Sequence, residues 1–342
     1  MIVTALIFVT NVYGSFDVHC EKINHFNYII FYDNSVAGAD DEIEKAIRKY
    51  TDKCAKCQEK SLILNQSDGR KTPLYFFCYD NLEDYKNVFS ILPKEKITGK
   101  EPYDGLWMSY SYRNYFGKKD TDHISIVGTS EKSNSIPIDG FMNYYLTHGI
   151  VTISKENMYE YFGEQYEPNA FLANLSDKDS SKVIKELEGI NGYLKYENNY
   201  QTCKRDFNTF SGIAAAIEGV YMSMSVVLAM LVLLNLLNQF VEEKKNELII
   251  LQINGYQLKD VRRYIYVDTI ILTIIGIIIG VAVGMYLAVL AVSSFDGSFI
   301  CFIKTPSAIC CIEGALGAAL LTFIMCKIAM RKIEKFDLSS IT

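Results

Sequence analysis

Two cysteines three residues apart, Cys54 and Cys57, have the spacing most suggestive of chemistry, because a CxxC pair can hold zinc or cycle between dithiol and disulfide. Their surroundings support neither use. No second CxxC is present, and His19, His25, His123 and His148 share no ligand spacing. The pair falls in residues 40–60, which read as a charged amphipathic helix opened by Asp40 and Asp41, whereas a thioredoxin-type site needs a strand-to-helix turn. With Cys20, Cys78 and Cys203 they make an odd set for a disulfide framework, and Cys301, Cys310, Cys311 and Cys326 lie in or beside an apolar stretch, where Cys behaves as a small apolar residue. Neither GxSxG, HExxH nor GxxxxGK[ST] occurs, so the residues point to no catalytic site, metal or cofactor, and any ATP would be bound by another chain. Tyr110, Tyr112, Tyr115, Tyr144 and Tyr145 would suit an aromatic ligand surface; amphipathic outer faces of strands are the simpler reading.

A different chemistry, docking, is offered by residues 235–284. An apolar run leads into EEKKNE, with Glu242, Glu243, Lys244, Lys245 and Glu247, and a bend is expected at Asn254 and Gly255, since a helix end commonly uses a left-handed glycine. Beyond it Leu258, Val261 and Ile265 recur at helical spacing opposite Lys259, Arg262 and Arg263, the pattern of an amphipathic segment in an interface. On composition alone a basic loop obeying membrane orientation rules fits as well.

What must position this elbow is a membrane. The chain has 342 residues, of which 49% are hydrophobic and 22% charged, with net charge −6 and mean hydropathy +0.08, so apolar and polar residues must be segregated. The acidic balance argues against nucleic acid as a partner. Uncharged stretches at 219–241 and 269–295, and a third at 305–326 broken by Glu313, are each long enough to span. Glu218 and Asp268 sit at span ends, which leaves Glu313 as the acid expected deep in the membrane; such residues are functional candidates. Residues 1–13 are too short a run to span; without a basic n-region or a small-x-small cleavage site they read better as part of a first spanning helix than as a signal peptide. Nine of the ten basic residues after 211 fall in the elbow 242–263 or in the tail from Lys327 onward, which places those segments in the cytoplasm and residues 14–211 outside. Gly276, Gly280 and Gly284, four residues apart, predict a smooth stripe for close helix packing.

The outer 14–211 alternate strand-like and helix-like segments, including HFNYIIFYD, PLYFFCYD, KENMYEYF and DKDSSKVIKELE, and predict an α+β domain. The fold class is therefore membrane α-helical, three complete spans plus a partial N-terminal one, with a large α+β extracellular domain.

Residues 235–284 resemble the FtsX-like, MacB-type permease domain of ABC transporters, in Asn235–Leu236, Glu242–Lys245, Glu247 with Leu248–Leu251, Asn254–Gly255, Val261–Arg262, Asp268 and the three glycines. RKIEKFDLSS (331–340) and, upstream, DGLWMSYSYRNYF, HISIVG and GFMNYYLTHGIVTISKENMYEYFGEQYEPNAFLANL are similar to long Gram-positive members, whose C-terminal module this chain resembles. That resemblance implies a non-catalytic permease subunit whose elbow is gripped by a separate ABC ATPase, a second permease module or second copy, lipid contact, and export, extraction or mechanical transmission involving a hydrophobic molecule, lipid, lipoprotein or peptide. A membrane-anchored sensor for an extracellular ligand such as an antimicrobial peptide is the alternative.

Overall fold

A computed structural model describes residues 2–65, 71–115, 123–127, 136–145, 150–255, 258–295, 301–305 and 307–333. The chain divides into two units, one of residues 1–12, 211–293 and 304–342, the other of residues 13–210 and 294–303. Its first helix, α1 (Ile2–Val18), runs on through a π-helical turn, His19–Ile23, well past the ten or so strongly apolar residues that the partial-span reading used. The apolar run underestimates it because Asn11 and Ser15 are buried rather than breaking the helix, and Ser15 Oγ accepts the Ile303 amide at 2.8 Å.

The second unit is built on a mixed sheet of eleven strands: β1 (Tyr28–Tyr32), β2 (Cys54–Asn65), β3 (Lys71–Tyr79), β4 (Leu92–Lys96), β5 (Trp107–Ser109), β6 (His123–Val127), β7 (Ile136–Pro137), β8 (Gly140–Asn143), β9 (Ile150–Ser154), β10 (Ala170–Ala173) and β11 (Tyr193–Asn198). The order is β11-β1-β10-β2-β3-β9-β5-β8-β4, with β6 paired to β2 and β7. Only β3–β9 and β5–β8 are parallel among these pairs. Four helices join the strands: α2 (Ala39–Arg48), α3 (Leu82–Val88), α4 (Lys155–Phe162) and α5 (Asp177–Leu187). Each of the last three starts on a side-chain cap, Asn81 accepting from the amides of Glu83 and Asp84, Ser154 from Asn157 and Ser176 from Asp179, and each cap satisfies donors that the first turn leaves open.

Two apolar clusters form the core. One packs Ile43, Ile47, Val183 and Leu187 of α2 and α5 on Ile30, Cys54 and Phe171. The other packs Met158 and Phe162 of α4 on Phe76, Met108, Phe141 and Val151. The tyrosines expected on outer strand faces are placed otherwise. Tyr110, Tyr112 and Tyr115 form a 3₁₀ turn (Tyr110–Tyr115) in which Tyr112 is fully buried, and Tyr144 and Tyr145 are buried after β8. Tyr112, Tyr144 and Tyr145 thus add aromatic bulk to the core, and Tyr110 is half-buried against it.

The CxxC is also corrected. Helix α2 stops at Arg48, and Cys54 and Cys57 lie on β2, because the sheet pairs that segment with Ala173 and Ala170 of β10 on one side and Tyr79 of β3 on the other. Residues three apart on a strand point to opposite faces, so the two thiols cannot meet. Both are free and buried, and burial pushes the Cys54 thiol up to about 12 and Cys57 well above its ordinary value. Neutral thiols are neither nucleophiles nor metal ligands. No group of three or more His, Cys, Asp or Glu is arranged to hold a metal among the described residues.

The first unit contains α1 up to Val12 together with most of α6 (Asn199–Ile253), α7 (Leu258–Phe295) and α8 (Ala308–Ile333). Among the described residues four helices are long and apolar enough to cross a membrane, over Ile2–Ile23, Asn199–Phe240, Thr269–Ser294 and Ala308–Ile328. At 55 residues α6 is about 80 Å long, far more than one crossing needs. No proline interrupts its charged flanks, so the helix continues where the apolar run stops.

Candidate coupling elbow and membrane cavity

The elbow is assembled from a helix end and a helix start. Helix α6 stays regular through Ile253, the Asn254 amide still donates to the Ile250 carbonyl at 3.1 Å, and Gly255 then takes φ +87°. A side chain is strained at that φ, so glycine is what lets α7 restart at Leu258. Glu242, Glu243 and Glu247 are exposed on the last turns of α6, and Asn254 and Gly255 are exposed at the bend. Glu243 and Glu247 are four residues apart and share a face, with Glu242 beside them. Gln239 donates to the Glu243 carboxylate at 3.2 Å. Lys244 and Lys245 belong to the same helix, and Leu258, Lys259, Val261, Arg262 and Ile265 to the first turns of α7; their side chains lie outside the described part, while Arg263 is exposed. The described surface of the elbow is thus an acidic helix end above a left-handed turn, which can present carboxylates to a basic groove.

The three glycines of the expected stripe have different surroundings within this chain. Only Gly284 meets a helix: a Cβ there would lie 3.0 Å from Val3 Cβ, and Thr4 Oγ1 donates to the Gly284 carbonyl at 3.2 Å. Gly276 and Gly280 have no such neighbour and instead line a half-open groove of about 670 Å³ bordered by α1, α6, α7 and α8. Its second tight glycine went unread. Gly314 of α8 also receives Val3, and a Cβ there would overlap the valine side chain. A lone glycine in an apolar run has no periodicity to announce it. We expect Gly314→Leu and Gly284→Leu each to destabilise by at least 1–3 kcal/mol through overpacking, and Gly276→Leu to cost less than 1. Melting temperatures of the three variants in detergent check this; equal losses at all three positions would sink the assignment of Val3 as the knob.

Of the acids expected within the membrane, Glu313 lies inside the apolar stretch Ala308–Ile328 of α8. Helix α8 begins at Ala308, so Glu313 lies about 8 Å from the helix start and is exposed. Asp268 lies on α7 with its side chain outside the described part, and Glu218 is half-buried on α6.

Comparison with known proteins adds the following. Residues 219–335, roughly a third of the chain, match the FtsX-like permease C-terminal family. No curated protein matches the chain. Among solved structures it is similar to the extracellular domain of the noncanonic ABC-type transporter YknZ from Gram-positive bacteria (TM-score 0.32, 13% identity, 50% of this chain and 98% of that one). It is also similar to the periplasmic region of MacB from Actinobacillus actinomycetemcomitans (0.31, 12%, 54% and 95%), and to a domain of a putative permease from Porphyromonas gingivalis (0.27, 9%, 51% and 88%).

Proposed function

We propose, from the FtsX-like permease domain at 219–335, that this chain is the permease subunit of an ABC transporter, driven by an ATPase on a separate polypeptide through the elbow. The observation that carries the reading is the coincidence of that family match with an acidic helix end and a glycine turn that present a compact docking surface between two apolar helices. The chain itself is the non-catalytic partner. A second permease module or a second copy completes the transporter, and the 13–210 domain faces the outside, where it handles a hydrophobic molecule, lipid, lipoprotein or peptide. The elbow lies in the cytoplasm, as the lysines and arginines flanking it require.

Two measurements test this. Purification in mild detergent from native membranes should recover an ABC ATPase in stoichiometric amount, with hydrolysis faster in the complex than in the isolated ATPase; a chain that purifies free of any nucleotidase overturns the reading. For orientation, we expect Lys195→Cys, on the exposed side of β11, to react with an impermeant thiol reagent on intact cells, and Asp260→Cys only after permeabilisation. The opposite pattern reverses the topology.

A further inference from the structure

The strand order of the outer unit has two ends, and they are finished differently. At one end β4, LPKEK, carries the devices that keep an edge from pairing: a proline, two lysines and a register shift between Pro93 and Glu95. At the other end β11, YLKYEN, is bonded to β1 alone among the described residues. It has no proline, and its irregularity against β1 falls at Phe31 and Tyr32, so Lys195, Tyr196, Glu197 and Asn198 run in unbroken register. Its single lysine is no guard either, because Lys195 Nζ turns back over the Phe31 ring, 4.6 Å from the centroid. Such an edge directs a row of backbone N–H and C=O groups outward, where they template another strand. Leu194 and Tyr196, 61% and 42% exposed, place apolar surface beside that row.

The side chains decide which strand fits. Lys195 and Glu197, two apart, share one face, and Lys195 Nζ donates to the Glu197 carboxylate there at 2.6 Å. Tyr196 lies on the other face, against Tyr28. A strand laid antiparallel on β11 therefore needs an acid opposite Lys195 and, two residues away, a base opposite Glu197. A second β11 has both. With Tyr196 opposite Tyr196, Lys195 of each copy meets Glu197 of the other on one face, and two aromatic rings meet on the opposite face, each a stabilising cross-strand pair. Neighbouring registers lose this. Pairing centred on Lys195 or on Glu197 sets like charges directly opposite, which destabilises, and a slip of one residue turns the partner's charges to the wrong face.

We propose that β11 is the contact between two copies of this chain, joined antiparallel across a two-fold axis at Tyr196 so that the sheet of one outer unit continues into that of the next. The contact is isologous, and each copy gives the groups it receives. It deepens the reading in which a second copy completes the transporter, and it needs no ATPase, so its failure leaves the recovery and stimulation of an ATPase to be read on their own.

The test uses the whole chain in phosphatidylcholine vesicles without ATPase. Directly opposite residues hold their Cβ atoms about 4.5–5.5 Å apart, close to the span of a disulfide, so Tyr196→Cys is expected to yield a disulfide-linked dimer on mild oxidation. The unsubstituted chain, whose Cys54, Cys57, Cys78 and Cys203 are buried, is the blank, and Tyr159→Cys on the exposed side of α4 gives the collisional background. Lys195→Glu or Glu197→Lys, added to Tyr196→Cys, should each lower the yield about tenfold, the equivalent of roughly 1.4 kcal/mol, because both symmetric contacts become like-charged. Lys195→Glu and Glu197→Lys together should restore it, since the exchanged charges again oppose. All three side chains are exposed, and unmoved Trp107 emission shows that the variants are folded. A Tyr196→Cys yield no higher than that of Tyr159→Cys overturns the proposal. So does a yield indifferent to the single reversals, or one that the double reversal fails to restore. Oxidation in native membranes that links Tyr196→Cys to a different polypeptide overturns the second copy as occupant and assigns the edge to a strand of another chain.

Discussion

Replacing Glu242, Glu243 and Glu247 together by lysine is expected to abolish stimulation of the partner ATPase while leaving the 13–210 unit folded. All three carboxylates are exposed, and none belongs to the core of either unit, so their reversal removes no packing. What changes is the sign of a surface. The three acids share residues 242–247 with Lys244 and Lys245, so the reversal takes that stretch from a net charge of −1 (three Glu, two Lys) to +5 (five Lys). Charges at this surface act over about a Debye length, roughly 8 Å at physiological ionic strength, and the reversal turns the attraction of the exposed carboxylates for a basic groove into like-charge repulsion worth several kcal/mol at an interface. A loss of at least tenfold in stimulated hydrolysis follows. The same complex should weaken as salt is raised. The measurement is ATP hydrolysis by the reconstituted pair, with and without the substitutions, beside recovery of the complex on a tagged partner. The single tryptophan, Trp107, is fully buried in the outer unit and serves as the control: its emission should not move. Normal stimulation and normal recovery in the triple variant would falsify the elbow as the coupling surface. Glu242 and Glu247 reversed without Glu243 should retain most of the defect, since Glu243 also lines the membrane groove.

How much of this was legible in the sequence depended on whether local signals and tertiary demands agreed. They agreed at α4 and α5, where a serine stands one residue before an amphipathic run, and the expected segments and the helices coincide almost residue for residue. They conflicted at residues 40–60. The charged run there is a fair helix, but after Arg48 the apolar positions Cys54, Ala55 and Cys57 abandon helical spacing, and hydrogen bonding on both edges of β2 decides for a strand. Edge strands such as β11, YLKYEN, escaped because an edge needs no apolar alternation when both faces stay largely exposed. Apolar runs located helices long and apolar enough to cross a membrane, but not the helix ends, since α6 and α1 continue through polar residues. The elbow was readable because glycine at a left-handed bend is a local requirement. The membrane groove was not. Its walls bring α1 from the start of the chain against α6, α7 and α8, and neither the space beside Gly276 and Gly280 nor the valine lodged against Gly314 leaves a mark on periodicity.

A second feature invisible in the sequence carries the largest stability effect we expect in the outer unit. Asp139, between β7 and β8, is 1% exposed, and its carboxylate accepts from Thr98 Oγ1 at 2.6 Å, from the Leu106 amide at 2.8 Å and from Tyr161 Oη at 2.7 Å. Lys100 Nζ stands 3.8 Å away and lies over the Tyr161 ring. The backbone of the same residue also accepts from Ile97 and donates to Leu106, so one aspartate ties the loop between β4 and β5 to β8 and, through Tyr161, to α4. Gly105, at φ +110°, closes over it, and a Cβ there would collide with the carboxylate. Asp139→Ala leaves the Leu106 amide and the Thr98 and Tyr161 hydroxyls without their acceptor and removes the counter-charge of Lys100, which still donates to Tyr161 Oη at 2.6 Å. Breaking a buried charged network in this way costs about 3–5 kcal/mol, against total stabilities of about 5–15. Asp139→Asn keeps the shape and one acceptor oxygen, turns the other into a donor facing donors, and should cost about 1–3 kcal/mol. The readout is close at hand, since the ring of Trp107 packs directly over Gly140, the next residue. Urea unfolding of the full chain in detergent, followed by Trp107 emission, should therefore rank wild type above Asp139→Asn above Asp139→Ala. An alanine variant within 1 kcal/mol of wild type would show that the loop is held by its backbone hydrogen bonds alone.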